Sequence, residues 1–176
     1  GIVYDVVNIP SWKRVELQNI LEKEFNLPVK IENDANCFAL GEFKHGKAKD
    51  LKHVVGITLG TGVGSGVIIN GKIYSGNNGG AGEIGYLNYL DRDFEFYGAS
   101  FFFKEIYKAS AFEIFQQAKA GDARAFRIWD EYGMHIGNLV KSVVYAFDPQ
   151  AIVLGGSIAN AFSFFEPAMK KTIASQ

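Results

Sequence analysis

The chain has 176 residues, the length of one domain or of one domain with part of a second. Apolar residues make up 48% and charged residues 21%, a composition that excludes a disordered chain. The formal net charge of −1 gives no indication of a basic surface for nucleic acid or anionic lipid, and no apolar run reaches the length of a membrane-spanning helix. We therefore expect neither nucleic acid nor a membrane among the partners of this chain.

Cys37 is the only cysteine, so the sequence excludes an intrachain disulfide and a cysteine-rich zinc site. A single thiol suits a reducing compartment, and the first residues lack the charged and apolar regions of a signal peptide. These features predict a cytoplasmic location.

The first third of the chain is predicted to be mainly helical. Residues 13–25 carry apolar side chains at helical spacing, which predicts a helix. The alternating residues 29–31 are typical of a short strand. This strand has no obvious partner, so it would pair with a second copy or be irregular. A second helix is predicted over 35–43, with Asp34 as its N-cap, and the polar residues 44–53 are predicted to form a loop.

The middle of the chain is predicted to form strands and a long loop. The β-branched run 54–59 is typical of a buried strand, and the glycine-rich segment 60–66 follows it. Asn70-Gly71 separates two short apolar runs, which is the strongest short-range signal for a hairpin. Residues 76–85 contain five glycines and are predicted to be a loop.

The last third is predicted to be helical around one strand. Ser110 and Glu113 predict a capping box for a short helix, and Asp122 is expected to cap the longest helix, which ends near Phe147. A short strand over 151–154 precedes a final helix over 162–173. Strands mixed with helices indicate the α/β class.

Three segments contain residue types that could carry chemistry. Asp34 follows a predicted strand and could accept a proton from a substrate hydroxyl, although an aspartate here is also an ordinary N-cap. The glycines of 58–66 could bring bare N–H groups to a phosphate, or simply form a tight turn; the segment matches neither the P-loop nor the dinucleotide fingerprint. Glu83 is a lone carboxylate in a glycine-rich loop. This pattern occurs both in loops that bind ligands and in loops without a function, so both interpretations stay open.

Taken together and in this order, the segments resemble the ROK family of sugar kinases and related repressors. The resemblance is carried by E-N-D-A-N-C-F-A-L-G-E at 32–42, L-G-T-G-V-G-S-G at 59–66, G-G-A-G-E-I-G at 79–85 and D-P-Q-A-I-V-L-G-G-S at 148–157. It implies an actin-like, ribonuclease-H-like fold with a mixed sheet and flanking helices. Two such lobes close over ATP, Mg²⁺ and a sugar in the family.

The resemblance also implies roles for individual residues. Asp34 corresponds to the catalytic base. The sugar-binding residues would be Asn8, Asn33, Glu83, Tyr86 and Glu95. The nucleotide-binding residues would be Gly60, Thr61, Gly62, Gly155 and Gly156. A homodimer is expected, because members are commonly dimers and because the Phe-rich segment 94–103 offers apolar surface.

The sequence departs from the family pattern in two places. Zinc-containing members have a histidine after G-E-I-G and then a C-x-C-G-x-x-G-C-x-E run. In this chain Tyr86 takes the position of the histidine, and the cysteines of the run are absent. Glu95 aligns with the glutamate that ends the run. We therefore predict no structural zinc. The phosphate motif D-x-G-G-T is also absent, so the chain is expected to be the central and C-terminal part of a longer kinase and to be inactive alone.

These features predict a division into residues 1–45, a hinge segment with a remnant of the small lobe, and residues 46–176, the large lobe that binds nucleotide and sugar. The leading hypothesis is ATP-dependent phosphorylation of a hexose or an N-acetylhexosamine. The alternatives are the sugar-sensing domain of a ROK-type repressor and a non-catalytic binding or dimerisation module.

Overall fold

The computed structural model describes residues 1–6 and 9–175. The chain divides into two compact units, Gly1–Asn33 and Asp34–Gln176. The division predicted near residue 45 stays a prediction about lobes of the complete protein. Within the units found here, the helix that begins at Asp34 belongs to the larger one.

The smaller unit contains a short antiparallel ladder and one helix. Strand β1 (Val3–Tyr4) pairs with β2 (Arg14–Val15), and helix α1 (Leu17–Phe25) follows. The predicted helix therefore begins later than residue 13, because residues 14–15 are held in the ladder. The strand predicted over 29–31 is wrong: the segment is irregular, and the Val29 N–H donates to Glu22 Oε1 at 3.1 Å instead of to a strand partner.

The larger unit is built on a four-stranded mixed sheet. Its strands are β3 (Val54–Leu59), β4 (Val63–Ile69), β5 (Lys72–Ile73) and β8 (Ala151–Gly155). A separate two-stranded hairpin consists of β6 (Asn88–Tyr89) and β7 (Arg92–Asp93). The sheet order is β5-β4-β3-β8, with β8 parallel to β3 and the other pairs antiparallel. Asn70 and Gly71, at φ 52° and 74°, form the predicted tight turn between β4 and β5.

Helices cover both faces of this sheet. They are α2 (Asp34–His45), α3 (Phe94–Gly98), α4 (Ala111–Lys119), α5 (Ala123–Phe147) and α6 (Phe162–Ala174), with single 3₁₀ turns at Ile84–Tyr86 and Ile158–Ala161 and a π-helix at Phe102–Ile106. Two of the three predicted caps are confirmed: Ser110 and Glu113 form a capping box, and Asp122 Oδ1 accepts from the Ala125 N–H at 2.8 Å.

The alternation of side chains along β3 separates two cores. Val55, Ile57 and Leu59 belong to the large core that α5 and α6 complete, whereas Val54 packs with Ala39 of α2 on the opposite face. Helices α5 and α6 pack closely because Gly137 has no side chain: a Cβ there would lie 2.6 Å from the Thr172 Cβ.

The Phe-rich segment is mostly core. Phe94 is 4% exposed, and Phe102 and Phe103 are fully buried, whereas Phe101 is 42% exposed. The expectation of a large uncovered apolar surface over 94–103 is therefore wrong for three of these rings, because they pack around α5. Among the described residues, none of the helices combines the length and apolar character that crossing a bilayer requires.

Candidate functional site

The glycines of β3 and β4 form a flat surface on which α2 lies. A Cβ at Gly66 would lie 2.6 Å from the Ala39 Cβ, and one at Gly64 would lie 2.9 Å from the Ala35 Cβ. A side chain at either position would push the helix off the sheet. These two glycines therefore serve the packing of α2, a role that the sequence did not separate from exposure of backbone to a ligand.

This packing holds Asp34 at the N-terminal end of α2. Asp34 is exposed, and its Oδ1 accepts the N–H of Ala35 at 2.9 Å. The helix begins one residue earlier than predicted, so Asp34 is its first residue and not the N-cap before it, and its carboxylate is exposed. Because the neighbouring Ala35 packs against Gly64, the carboxylate lies beside the β3–β4 hairpin.

The turn between β3 and β4 consists of Gly60, Thr61 and Gly62. The Gly60 N–H donates to the Gly62 carbonyl at 3.1 Å, which closes the turn. Ser100 holds the turn from outside: its N–H donates to the Gly60 carbonyl at 2.9 Å and its hydroxyl to the Thr61 carbonyl at 3.4 Å. The Thr61 side chain is exposed and remains available to a ligand.

Gly155 and Gly156 lie beside this turn because β8 runs parallel to β3. Gly155 is the register partner of Thr58, and a Cβ at Gly60 would lie 3.7 Å from Ser157 Oγ. Gly156 has φ +87°, and a Cβ there would lie 2.8 Å from the Leu59 backbone nitrogen, so glycine is required on both counts. The structure thus brings the predicted nucleotide-binding residues together at the carboxyl ends of two parallel strands, where α/β sheets bind ligands.

Glu95 also reaches this hairpin. Its Oε2 accepts the Val63 N–H at 3.4 Å and would lie 2.9 Å from a Cβ at Gly62. A Cβ at Gly85 would lie 3.5 Å from the same oxygen. Glu95, in the first turn of α3, therefore places its carboxylate at the edge of the Gly60–Gly62 turn.

The loop that carries Glu83 is fastened to β4. The hydroxyl of the buried Ser65 donates to the Gly82 carbonyl, next to Glu83 in the chain. Glu83 is exposed, and Tyr86, in the following 3₁₀ turn, is 65% exposed. Both side chains are thus free to meet a ligand. Of the other predicted sugar-binding residues, Asn33 belongs to the smaller unit and Asn8 lies outside the described residues.

An apolar pocket of about 300 Å³ adjoins the residues that follow Gly156. Its lining includes Phe112 and Phe115 of α4, Trp129 of α5 and Ile158. Trp129 is fully buried, and its Nε1 has no hydrogen-bond partner among the described residues. No motif in the sequence predicted this pocket. The one available signal was the apolar Phe112, which lies between the capping residues Ser110 and Glu113 and is 67% exposed.

A polar cluster fills the region between the β6–β7 hairpin and α5. Tyr89 Oη lies 3.1 Å from His135 Nδ1 and accepts from Asn138 Nδ2 at 3.0 Å. Burial lowers the pKa of His135, and nearby Glu131 partly opposes that shift. The described residues contain no group of three or more metal-ligating side chains.

Comparison with known proteins identifies relatives along almost the whole chain. The model of the ROK family matches residues 1–96 and 101–176. A glucokinase from Halalkalibacterium halodurans is 33% identical over 92% of this chain and 58% of its own length. The chain spans between 58% and 64% of the length of such curated relatives.

Solved structures agree with the predicted fold. A putative sugar kinase from Cytophaga hutchinsonii is 34% identical and superposes with a TM-score of 0.82 over 98% of this chain and 64% of that one. A ROK family transcriptional regulator is 25% identical, with a TM-score of 0.79 over 92% of this chain and 47% of that one. The actin-like architecture with a mixed sheet and flanking helices is confirmed. With the family model matched on both sides of a four-residue gap, the chain belongs to the ROK family.

Proposed function

We propose that this chain forms the central and C-terminal part of an ATP-dependent sugar kinase that phosphorylates a hydroxyl of a hexose or an N-acetylhexosamine. One observation carries the proposal: the helix that begins at Asp34 packs on the β3–β4 hairpin, whose glycine turn lies beside Gly155–Gly156. Asp34 lies on the helix packed against this hairpin, and Gly156 lies against the end of β3. The curated relatives of this chain include glucokinases and N-acetyl-D-glucosamine kinases, and their activities support the same chemistry.

Asp34 would act as the general base. Its carboxylate takes the proton of the substrate hydroxyl while that oxygen forms a bond to the γ-phosphorus and the bond from the γ-phosphorus to the leaving oxygen breaks. The exposed position of Asp34 suits this role, because a substrate hydroxyl can approach its carboxylate. Glu83 and Glu95 would accept hydrogen bonds from other sugar hydroxyls. Asn33, Asn8 and Tyr86 complete the proposed sugar-binding set.

The nucleotide would use the turn and the apolar pocket. The N–H groups of Thr61 and Gly62 and the Thr61 hydroxyl would suit phosphate oxygens, and Gly155–Gly156 would permit close approach of the nucleoside. The pocket beside Ile158 suits an adenine ring, since Phe112, Phe115 and Trp129 give it aromatic walls. Mg²⁺ would be held largely by the phosphates and would neutralise charge on the transferred group.

A sugar-sensing domain is the second candidate, because a regulator in the family has the same fold. The two functions differ in what they require of Asp34. A sensor needs a hydrogen-bond acceptor for a hydroxyl, which asparagine also provides, whereas a kinase needs a proton acceptor.

The test is the Asp34→Asn variant of the complete protein, assayed by coupled phosphorylation of glucose, N-acetylglucosamine and N-acetylmannosamine. Asparagine keeps the size and the helix-capping ability of aspartate, so the fold should persist. We expect kcat to fall by about 10²- to 10⁴-fold with little change in sugar affinity. Retention of more than about a tenth of the wild-type kcat would contradict the role of general base.

Glu83→Gln is the matched control. Glu83 is assigned a hydrogen bond to a sugar hydroxyl and no proton transfer. This variant should therefore mainly weaken sugar binding and lower kcat less than Asp34→Asn does. Equal losses of kcat in both variants would show that the assay does not separate the two roles.

We also propose that the complete protein is a homodimer in the cytoplasm, where ATP is available. The exposed apolar surface that supports self-association is smaller than the sequence suggested, because it is limited to the side chains of Phe101 and Ile106, each 42% exposed. The second support is that members of the family are commonly dimers.

A further inference from the structure

The dipeptide Asn-Gly occurs twice in the chain, at Asn70-Gly71 and at Asn78-Gly79. Asparagine is a chemically labile residue. A following glycine has no side chain to hinder its own backbone nitrogen and leaves the backbone flexible. That nitrogen can then attack the amide carbon of the asparagine side chain, which is the first step of deamidation. Both asparagines are exposed, so exposure alone does not distinguish the two sites.

The tight turn between β4 and β5 holds the first of these sites. The Gly71 N–H donates to the Lys52 carbonyl at 2.9 Å, and Asn70 and Gly71 have φ of 52° and 74°. The flanking residues Ile69 and Lys72 are register partners in the sheet. The Gly71 nitrogen must therefore lose its hydrogen bond, and the turn must open, before it can reach the Asn70 side chain.

The second site lies in a loop that leaves its backbone unrestrained. The Ala81 N–H donates to the Ser75 carbonyl at 3.2 Å and closes the loop, and all of residues 76–80 are exposed. Among the described residues, no backbone carbonyl accepts the Gly79 N–H. A Cβ at Gly79 or at Gly80 would have nothing within 4 Å. The backbone around Asn78 therefore has room to rotate into the geometry of attack.

A neighbouring side chain activates the amide of Asn78. Asn77 Nδ2 donates to Asn78 Oδ1 at 3.0 Å. A donor in this position stabilises the negative charge that develops on the carbonyl oxygen when a nucleophile adds to the carbon. Asn77 lacks the other requirement, because the residue after it is Asn78, whose side chain hinders attack by the backbone nitrogen.

We propose that Asn78 is a site of spontaneous deamidation, and that the turn protects Asn70 from the same reaction. The Gly79 nitrogen forms a bond to Asn78 Cγ and loses its proton, while the bond from Cγ to Nδ2 breaks and ammonia leaves with that proton. Solvent water then opens the resulting succinimide ring at either carbonyl and gives aspartate or isoaspartate. Both products add a negative charge to the loop that carries Glu83, and isoaspartate also lengthens its backbone. The inference does not depend on the proposed kinase function.

The test follows both sites in one sample of the full chain, incubated at mildly alkaline pH. Trypsin cleaves after Lys52, Lys72 and Arg92, so Asn70 and Asn78 fall on separate peptides, 53–72 and 73–92. Mass spectrometry measures the exchange of NH₂ for OH in each peptide, and an isoaspartate-specific methyltransferase detects the rearranged product. We expect Asn78 to convert at least about tenfold faster than Asn70, because the turn at Asn70 must open before the reaction starts.

Two controls separate the fold from the local sequence. In guanidinium chloride the turn is lost, and the two rates should agree within about threefold. Asn78→Gln should abolish conversion of peptide 73–92, because the longer side chain would have to close a six-membered ring, which forms far more slowly. This variant identifies the reacting residue, since the peptide also contains Asn77 and Asn88.

Each contrary result overturns a stated part of the inference. An Asn78 that stays unmodified in the folded chain, or a peptide 73–92 that still converts in Asn78→Gln, would remove the site. Equal rates at Asn70 and Asn78 in the folded chain would show that the turn protects nothing. A tenfold difference that persists in denaturant would assign the effect to neighbouring residues in the sequence and refute the argument from the fold.

Discussion

The packing of α2 on the glycine surface can be tested with two matched substitutions. Gly66→Ala adds one methyl group between β4 and α2, whereas Gly41→Ala adds the same group on the exposed face of α2, where nothing lies within 4 Å of the new Cβ. Both changes remove the same backbone freedom from the unfolded chain. Their difference therefore isolates the contact between helix and sheet.

The structure sets the size of the effect. The new methyl at residue 66 would lie 2.6 Å from the Ala39 Cβ and 2.7 Å from the Ala35 carbonyl oxygen. Carbon atoms in contact normally lie about 3.5–4.0 Å apart, so α2 must move by about 1 Å. Overpacking of this kind costs about 1–3 kcal/mol, and reduced backbone entropy offsets about 0.4–1 kcal/mol of it. We expect a net loss of about 1–2 kcal/mol for Gly66→Ala. Gly41→Ala should instead gain about 0.5–1 kcal/mol.

Urea and thermal denaturation of the chain measure this difference. For a protein of this size each 1 kcal/mol corresponds to about 2–4 °C in Tm. If Gly66→Ala proved as stable as Gly41→Ala, α2 would not press on β4, and the positioning of Asp34 by that contact would be refuted.

Three further outcomes are expected. Protein purified without added metal should contain no stoichiometric zinc by elemental analysis, because Cys37 is the only cysteine and Tyr86 stands at the histidine position; a full equivalent would contradict this. Light scattering at tens of micromolar, roughly the range where weak association becomes visible, should give a mass above that of the monomer, and a monomeric mass at all concentrations would count against the dimer. Burial lowers the pKa of His135, so the unfolded chain takes up a proton before the folded one does. Stability should therefore be complete above about pH 6.5 and decline as the pH falls below it; urea midpoints of wild type and His135→Gln at pH 7.5 and 5.5 test this, and equal acid losses in both would exclude His135 as the cause.

Local signals in the sequence predicted the elements whose partners lie nearby. The turn at Asn70-Gly71 and the caps at Ser110 and Asp122 are confirmed, because each depends on a few adjacent residues. The strand predicted over 29–31 failed for the opposite reason. Alternation describes which side chains could face a core, but a strand exists only where another backbone accepts its hydrogen bonds.

The site was predictable in its chemistry and not in its packing. The sequence identified Asp34 and the glycine turn. It does not show whether a glycine makes room for a ligand or for a packed helix, because the residue type is the same in both cases. Only the structure shows that Gly64 and Gly66 serve α2. The buried state of Phe102 and Phe103 depends on contacts with α5, which local pattern does not reveal. The same holds for the buried Trp129 N–H, which has no hydrogen-bond partner in the part of the chain that the structure describes.

The parallel pairing of β3 with β8 has a consequence for the chain as it is synthesised. Lys52, just before β3, donates its N–H to Gln150, 98 positions later, and the ladder from Val54 to Thr58 depends on residues 151–155. A ribosome that releases the chain from its N-terminus will expose β3, β4 and α2 well before β8 exists. During that interval one edge of β3 has hydrogen-bonding groups without a strand to meet them, and such edges bind other chains. Nascent chains stalled before Ala151 are thus the species for which a chaperone would matter most.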